Sequence, residues 1–422
     1  MSTAPNKDGT FRLLYANSDF RRADNWAGVR ARQLVDALAD HGVLVTTFPP
    51  SEKLPGQQST ATKRLGGLKD FVQNNLPTGL TIWLVEIWLF LSGALRSLWN
   101  AVRAISLRGN LDAEVLLVRS REYDWTPWLL GKILGPPVVQ EVHSVFYVER
   151  AQRRGVPVKR AGGLLSRLER AQWRSAAGIW VNSMELKSII IDSGIEPEKV
   201  HFVPFGITQS PRQFPGKRPD EGVVRIAFVG SFYPWHGVQS LIRAFANIAT
   251  EVPEATLVLI GDGIIKARCE AEVDELGLHD RVEFTGWLPR DQMVERLREV
   301  DIGVAPYLAV EKFYFEPVKI FDYLAAGLPV IASSQGQVRD MLDGGLAGCL
   351  VPAGDEAALT RELILLCRDP VLRARMGAAA RQRYLDHYTL AVTVSQVIEV
   401  CAGALEQSVA NPGGASSKGK LP

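Results

Sequence analysis

Short apolar strand candidates alternate with helical patterns along most of the chain, and this alternation constrains the fold more than any other feature. The first cycle runs from a strand candidate at 11–17, through the polar loop SDFRRADNWAG, to a helical pattern at 29–41. Gly42 is suited to end that helix, and 43–48 is the next strand candidate. A strand, a helix and a second strand in so few residues form a βαβ unit, which builds parallel sheets. The sequence therefore predicts an α/β fold.

The alternation is broken at 208–222 (TQSPRQFPGKRPDEG), a segment whose proline, glycine and charge are typical of a linker. It divides an N-terminal domain at 1–207 from a C-terminal domain at 223–389, where a second series of strands and helices begins. Two domains suit a chain of 422 residues. We predict two doubly wound, Rossmann-like domains facing a central cleft, with ligands at the carboxyl ends of the strands. A helix at 390–407 and a disordered polar tail at 408–422 complete the prediction.

Composition excludes several classes of protein. Lys plus Arg is 48 and Asp plus Glu is 46, and a net charge of +2 gives no general attraction to nucleic acid. The four cysteines form no CxxC pair, so we expect reduced, buried thiols. The polar start MSTAPNKDGT is unlike a secretory signal, and we expect a cytoplasmic protein. HExxH, GxSxG, Walker and GxGxxG motifs do not occur, which leaves protease, serine hydrolase, P-loop and NAD-dehydrogenase functions without support.

The segment 51–109 departs from the pattern, because it is both basic and rich in tryptophan. It holds seven basic and three acidic residues, together with Trp83, Trp88 and Trp99. One interpretation is a pair of helices on an anionic membrane surface, which would make the protein peripheral on the inner face of the membrane. The other is a pair of apolar helices packed on the sheet. A spanning helix at 80–98 is less favoured, because Glu86 and Arg96 interrupt the apolar run.

Two turns of the second half have the composition of phosphate-binding loops. VGSFYPWHG at 229–237 follows a strand candidate and precedes a helix, whose free N–H groups suit a phosphate, and His236 would add a donor or a charge. The competing interpretation is an ordinary turn with Trp235 buried. IGDG at 260–263 has glycines that let a ligand approach the backbone, although GDG is also common in plain turns.

The segment EKFYFEPVKIFDYLAAGLPVIAS at 311–333 is the richest in candidate site residues. Pro317 suits the first turn of a helix, whose unpaired N–H groups near Glu316 and Val318 would bind a diphosphate. Lys319 can approach the same charge, and Asp322 can accept hydrogen bonds from ribose hydroxyls. The alternative is a solvated helix face.

In the first half, QEVHSVF places His143 just beyond an apolar strand, where sites of parallel sheets form. Glu141 lies two residues earlier, so both side chains lie on the same side of the strand. A lone histidine is more often structural, and that alternative stays open.

Several of these motifs, in this order, resemble one known family. VGSFYPWHGVQSLIRAF, LVLIGDG, RVEFTGWLP, DIGVAPY and FYFEPVKIFDYLAAGLPVIAS are similar to the donor-binding domain of family 4 retaining glycosyltransferases, which have the GT-B fold. AGVRARQLVDALADHG and WVNSMELKSIIIDSGIEPEKVHFVPFGI are similar to the N-terminal domain. The resemblance implies transfer of a sugar from a nucleotide-diphosphate sugar to an acceptor hydroxyl with retention. It implies no metal or other cofactor, and a last helix that packs back on the N-terminal domain.

The resemblance also assigns roles to residues. Asp322 matches the family's acidic position for ribose, whereas the earlier acidic position is Tyr314 here, with Glu316 the nearest acid. Ser231 and His236 replace the usual diphosphate-binding Arg and Lys, and Lys319 would supply the missing cation. The implied catalytic residues are His143, Glu316 and Lys319. The implied donor-binding residues are Gly28, Gly230, Ser231, His236, Gly237, Gly261, Gly263, Pro317, Val318 and Asp322.

The acceptor is left open by the sequence. A lipid-linked sugar or glycan precursor would explain the 51–109 segment, whereas a soluble enzyme would modify a small metabolite. The departures at Tyr314 and Ser231 also allow a non-catalytic binding or scaffold subunit. A GT-B sugar epimerase is less favoured, because its catalytic carboxylates have no clear counterpart.

Overall fold

The computed structural model describes residues 11–17, 26–48, 78–107, 111–154, 163–208, 222–310 and 313–410. The chain divides into two compact units. Unit 1 comprises Met1–Asn182, Leu186–Val203 and Val394–Pro422, and unit 2 comprises Ser183–Glu185 and Pro204–Thr393. The predicted linker and the predicted tail lie almost entirely outside the described residues.

The sheet of unit 1 has six parallel strands in the order β2-β1-β3-β4-β5-β6. Its strands are β1 (Arg12–Ala16), β2 (Leu44–Phe48), β3 (Val115–Arg119), β4 (Val138–Val142), β5 (Gly178–Val181) and β6 (Val200–Phe202). Its helices are α1 (Trp26–Asp40), α2 (Thr78–Leu107), α3 (Thr126–Leu134), α4 (Phe146–Arg154), α5 (Gly163–Ser175) and α6 (Met184–Asp192), the last of which begins within unit 2. The first half is α/β as predicted, because apolar strands such as VLLVR are covered by helices on both faces.

The sheet of unit 2 is also parallel, in the order β12-β11-β10-β7-β8-β9. Its strands are β7 (Val224–Val229), β8 (Ala255–Ile260), β9 (Val282–Gly286), β10 (Ile302–Ala305), β11 (Val330–Ser333) and β12 (Gly348–Val351). Its helices are α7 (Val238–Ile248), α8 (Lys266–Glu275), α9 (Arg290–Leu297), α10 (Val318–Ala325), α11 (Val338–Met341), α12 (Glu356–Arg368) and α13 (Pro370–His387). In each sheet, later strands are added on both sides of the first strand, β1 or β7, so that the strand order changes direction there. Each unit is therefore doubly wound, as predicted.

A last helix, α14 (Leu390–Ala410), starts in unit 2 and continues in unit 1. Its Val400 lies beside Gly178 of β5, where an added Cβ would meet the Val400 side chain at 3.6 Å. The helix also extends into the first residues of the predicted tail.

The segment predicted as a pair of helices contains one long helix, α2, in its described part. One face of α2 packs into unit 1: Gly93 lies against Tyr123, Ser97 donates to a carboxylate oxygen of Asp124, and Ala104 joins the core. In the described part of the chain, no helix combines the length and apolar character needed to cross a membrane.

The opposite face of α2 is apolar and exposed. We call it the α2 stripe, and it consists of Trp88, Leu91, Leu95, Leu98, Trp99, Val102 and Ile105. Apart from the adjacent Leu98 and Trp99, these positions follow one another at intervals of three and four residues, as expected for a single helix face. Packing on the fold is therefore confirmed for one face of this helix, whereas contact of the other face with a membrane stays a prediction.

Candidate functional site

Two loops of unit 2 meet at the carboxyl edge of its sheet, and both follow neighbouring strands. Gly230 follows β7 with φ +134°, and Gly261 follows β8 with φ +138°. A Cβ on Gly261 would lie 2.0 Å from the carbonyl oxygen of Gly230, and one on Gly263 would lie 2.6 Å from the backbone nitrogen of Phe232. Glycine is therefore needed at these positions because any side chain would prevent the close approach of the two loops.

The loop after β7 folds back on itself through His236. The His236 Nδ1 contacts the carbonyl oxygen of Ser231, and because a carbonyl only accepts, Nδ1 carries the proton. Burial and the nearby Lys319 charge lower the pKa of His236 to about 4, so the ring is neutral at physiological pH. The roles predicted for His236 toward a phosphate stay predictions. Trp235 is 42% exposed, which excludes the interpretation of this loop as a turn with a buried tryptophan.

Lys319 supplies the cation of this edge. It lies in the first turn of α10 and is only 6% exposed, with Nζ 4.4 Å from the Phe228 ring centre and 4.5 Å from that of Tyr307. A Cβ on Gly230 would be 3.4 Å from Nζ, so the ammonium group lies against the glycine turn. Burial lowers the pKa of Lys319 to about 7. In the described part of the chain, no carboxylate lies within ion-pair distance of Lys319.

The two acidic candidates of α10 have different partners. Asp322 is buried, with Oδ1 3.0 Å from a guanidinium nitrogen of Arg290 on α9. The Glu316 carboxylate accepts a hydrogen bond of 2.8 Å from the backbone N–H of Phe205. Their roles toward a sugar or ribose stay predictions. In the structure, each carboxylate already has a partner within the chain.

The N-terminus of α10 is less open than predicted. Pro317 has no N–H, and the N–H of Val318 donates to the carbonyl of Glu316 at 2.9 Å. The expectation of an unpaired N–H at Val318 is therefore wrong, because the backbone turns tightly at Pro317 before the helix begins. The favourable helix dipole remains, with Lys319 in the same turn.

The second group of candidates lies in unit 1, where β1, β3 and β4 end. His143 follows β4, and its Nε2 lies 2.6 Å from Oε1 of Glu141. Arg119, opposite Glu141 in the sheet, lies 3.7 Å from the same oxygen. The Tyr15 hydroxyl donates to Oε2 of Glu141 at 2.6 Å. Glu141 and His143 thus lie on the same side of the strand, as predicted.

Charges around this group fix the protonation of its members. Burial favours a neutral Glu141, but His143, Arg119 and the Tyr15 hydroxyl outweigh it and lower the Glu141 pKa to about 2. Burial and Arg119 lower the pKa of His143 to about 4, against the opposing effect of Glu141. Arg30, on α1 and two residues beyond the buried Gly28, also acts on His143. The group therefore contains an ionised carboxylate and a neutral imidazole at physiological pH.

Four residues of these two groups were not predicted from the sequence: Tyr15, Arg119, Arg290 and Tyr307. Each contacts a predicted residue that lies on another element of the fold. For Tyr15, the available signal was its place near the end of β1, on the edge where His143 follows β4.

Family models match both units. A model described as "Glycosyl transferase 4-like domain" matches residues 27–206, and one described as "Glycosyl transferases group 1" matches 224–369. The chain has the GT-B fold, and each of its units is similar to a glycosyltransferase domain. Two doubly wound units, each matched by one of the paired glycosyltransferase domains, agree with the resemblance noted in the sequence.

Curated relatives and a solved structure agree with this assignment. The chain is 27% identical to 2-deoxystreptamine glucosyltransferase of Streptomyces kanamyceticus over 55% of this chain and 58% of that protein. It is 31% identical to phosphatidyl-myo-inositol mannosyltransferase of Mycobacterium leprae (strain TN) over 42% and 45%. The chain spans about half the length of these relatives. The structure of Anabaena Alr3699/HepE with UDP and glucose superposes with a TM-score of 0.64, covering 93% and 99% at 17% identity, which shows a shared fold.

Proposed function

We propose that the chain is a retaining glycosyltransferase that moves a sugar from a nucleotide-diphosphate sugar to an acceptor hydroxyl. The observation that carries the proposal is Lys319, a buried cation without a carboxylate partner in the described residues, placed against the glycine turn at the carboxyl edge of the unit 2 sheet. A diphosphate supplies the negative charge that this position lacks. The fold neighbour with UDP supports the same donor class.

The chemistry assigned to these residues is stabilisation of a leaving group. As the bond from the sugar to the diphosphate breaks, negative charge grows on the phosphate oxygens, where Lys319 and the α10 dipole would stabilise it. The acceptor hydroxyl attacks the face that the diphosphate leaves, and its proton passes to a donor phosphate oxygen. Because the chain supplies this charge itself, we propose transfer without a divalent metal.

Nucleotide binding is the first test. We expect one of UDP, GDP, ADP, TDP or CMP to raise the melting temperature by a few degrees, with or without magnesium. A ligand at one hundred times its Kd adds about 2.7 kcal/mol. Asp322→Ala should abolish the shift, whereas Arg290→Ala, which removes only the partner of Asp322, should retain most of it.

Either of two results would count against the donor site: no nucleotide stabilises the protein, or both variants behave alike. Binding without transfer of any sugar would favour the scaffold alternative. With a nucleotide identified, the anomeric configuration of the product, read by NMR, tests retention.

The acceptor is proposed to be a lipid-linked sugar or glycan precursor at the inner face of a membrane. The observation that favours it is the α2 stripe, an exposed apolar helix face with two tryptophans. Within 88–107 the charged residues are Arg96 and Arg103, both basic, which suits an anionic bilayer surface. One relative is named for phosphatidyl-myo-inositol and another for 2-deoxystreptamine, so a soluble small-metabolite acceptor is the competing proposal.

Vesicle sedimentation separates these acceptors. We expect binding to vesicles of phosphatidylcholine with phosphatidylglycerol, weaker binding to phosphatidylcholine alone, and a decrease with salt. Leu95→Glu should abolish binding, because it places a charge in the stripe. Leu346→Glu is the matched control, since Leu95 is 66% and Leu346 65% exposed, and it should bind normally. Equal binding by both variants, or dimerisation sensitive to Leu95→Glu in the absence of lipid, would contradict membrane docking.

A further inference from the structure

The Lys319 ammonium group lies between two aromatic rings. Its Nζ lies over the ring of Phe228, 4.4 Å from the centre, and over the ring of Tyr307, 4.5 Å from the centre. Phe228 belongs to β7 and Tyr307 follows β10, so the two rings reach the lysine from separate strands. Phe228 is fully buried and Tyr307 is 2% exposed. A cation within about 6 Å of a ring centre is attracted to the face of that ring, and more strongly where water is excluded.

The two rings are held in place by other aromatic side chains. The Tyr307 ring lies 5.0 Å from the ring of Phe313 and 5.6 Å from that of His236, both edge to face. The Phe228 ring lies edge to face with Phe232 at 5.8 Å. This arrangement is preferred by aromatic pairs, because the positive edge of one ring meets the negative face of the other. The positions of the two rings are therefore fixed independently of the lysine.

Rings and carboxylates stabilise a cation with different consequences for a ligand. Arg243, in the same unit, pairs with Glu272 at 2.8 Å and also with Glu356. These carboxylates cancel much of the arginine charge and repel a further anion. The two rings around Lys319 are neutral, so they attract the ammonium group without adding negative charge. Lys319 thereby keeps its charge for an anionic ligand.

Resting on the proposed function, we infer that Phe228 and Tyr307 are positioning residues, whose rings hold the Lys319 ammonium group against the Gly230 turn, where it binds the diphosphate of the donor. A Cβ added to Gly230 would lie 3.1 Å from Cε and 3.4 Å from Nζ of Lys319, which places the end of the side chain on that turn. A lysine side chain is otherwise flexible. The rings restrict it before the donor binds, so less conformational entropy is lost on binding.

Fluorination of one ring tests the inference without any substrate. Fluorine atoms weaken the attraction of a ring for a cation and change its shape little. The full-length protein would carry phenylalanine with no, one, two or three fluorine atoms at position 228, incorporated at a stop codon. In protein labelled with ¹³C-lysine, a pH titration of the Lys319 signal, identified by its loss in Lys319→Met, gives the acid dissociation constant of the ammonium group. We expect this constant to rise stepwise with fluorination, about two- to thirtyfold over the series.

The same series at position 313 is the control. Phe313 packs on the ring of Tyr307, but among the rings that the structure describes only Phe228 and Tyr307 lie over Nζ. Fluorination of Phe313 should leave the constant unchanged, because it alters the packing of the aromatic cluster and not the contact with the cation. A constant that does not respond at position 228, or that responds equally at position 313, would overturn the inference.

Nucleotide affinity shows whether the rings act on the donor site, and it is measured with whichever of UDP, GDP, ADP and TDP stabilises the wild type. We expect trifluorination of Phe228 to lower the affinity about two- to thirtyfold, since the ammonium form that binds the diphosphate is less stabilised. Tyr307→Leu should lose a similar factor, and Tyr307→Phe should retain nearly all the affinity, because only the first removes the ring. Equal losses in the two Tyr307 variants, or full affinity of the fluorinated protein, would contradict positioning by the rings.

The inference and the proposed function fail differently. If fluorination changes the acid dissociation constant of Lys319 but none of these nucleotides binds, the proposed function fails, and so does the diphosphate part of the inference. If a nucleotide binds with an affinity that falls in Lys319→Met but does not respond to fluorination, only the inference about the rings fails.

Discussion

Lys319→Met is expected to lose about 10- to 100-fold in affinity for the nucleoside diphosphate. The ammonium group lies against the Gly230 turn between the rings of Phe228 and Tyr307, and methionine retains the volume of the side chain but not its charge. A hydrogen bond to a charged group contributes about 1.5–3 kcal/mol, which sets the size of the loss. Titration calorimetry with the nucleotide identified above measures it.

The same variant is expected to be more stable than the wild type below pH 7. Burial lowers the Lys319 pKa from its usual 10.5 to about 7, so between these values the unfolded chain holds a proton that the native chain lacks. Native stability therefore rises with pH across this window, and below pH 7 the full cost of a buried charge is present. Urea unfolding at pH 6.5 and 9 should show a strong pH dependence in the wild type and a weaker one in Lys319→Met.

Binding of the diphosphate should also take up a proton. At pH 8 most of the free protein has a neutral Lys319, whereas the bound anion favours the ammonium form. Calorimetry in two buffers of different ionisation enthalpy should give close to one proton taken up by the wild type and none by Lys319→Met. Lys199→Met, which removes a lysine from unit 1, should behave like the wild type. Unaltered affinity and proton uptake in Lys319→Met would exclude Lys319 from the site.

The fold could be predicted to the extent that local patterns determine it. The α/β alternation predicts two units of strands and helices, because most of the strands are apolar runs bounded by turn residues. β12 (GCLV) was not predicted, since four residues beginning with glycine give no periodic signal and only its pairing with β11 makes it a strand. α4 was likewise absent from the prediction, because FYVERAQRR is short and charged.

The candidate sites show the same limit more sharply. His143 and Glu141 could be placed together because alternation along one strand is a local rule. The partners that determine their protonation, Tyr15 and Arg119, come from neighbouring strands, and Tyr15 is 126 residues from Glu141. The ring pair around Lys319 and the Arg290–Asp322 contact also depend on tertiary packing. The sequence could name the charged groups, but not what balances their charges.

Gly237→Ala is expected to be strongly destabilising, and its effect should extend to nucleotide binding. Gly237 links the PWH turn to α7 with φ +71°, and an added Cβ would lie 1.7 Å from the carbonyl oxygen of Pro306, which follows β10. A left-handed backbone costs an L-residue about 1–2 kcal/mol, and an overpacked contact about 1–3 kcal/mol. We therefore expect a loss of about 2–5 kcal/mol in unfolding free energy by urea titration.

Gly277→Ala is the control that separates the backbone cost from the cost of the overpacked contact. Gly277 has nearly the same φ, +65°, but no atom lies within 4 Å of an added Cβ. It should lose only the conformational part, about 1–2 kcal/mol, and should bind the nucleotide normally. In Gly237→Ala the backbone must move away from Pro306, and the neighbouring His236 moves with it, so affinity should fall along with stability. If both variants lose the same stability and neither loses affinity, the close approach at Pro306 does not hold the β7 loop in place, and the glycine is needed for its backbone angle alone.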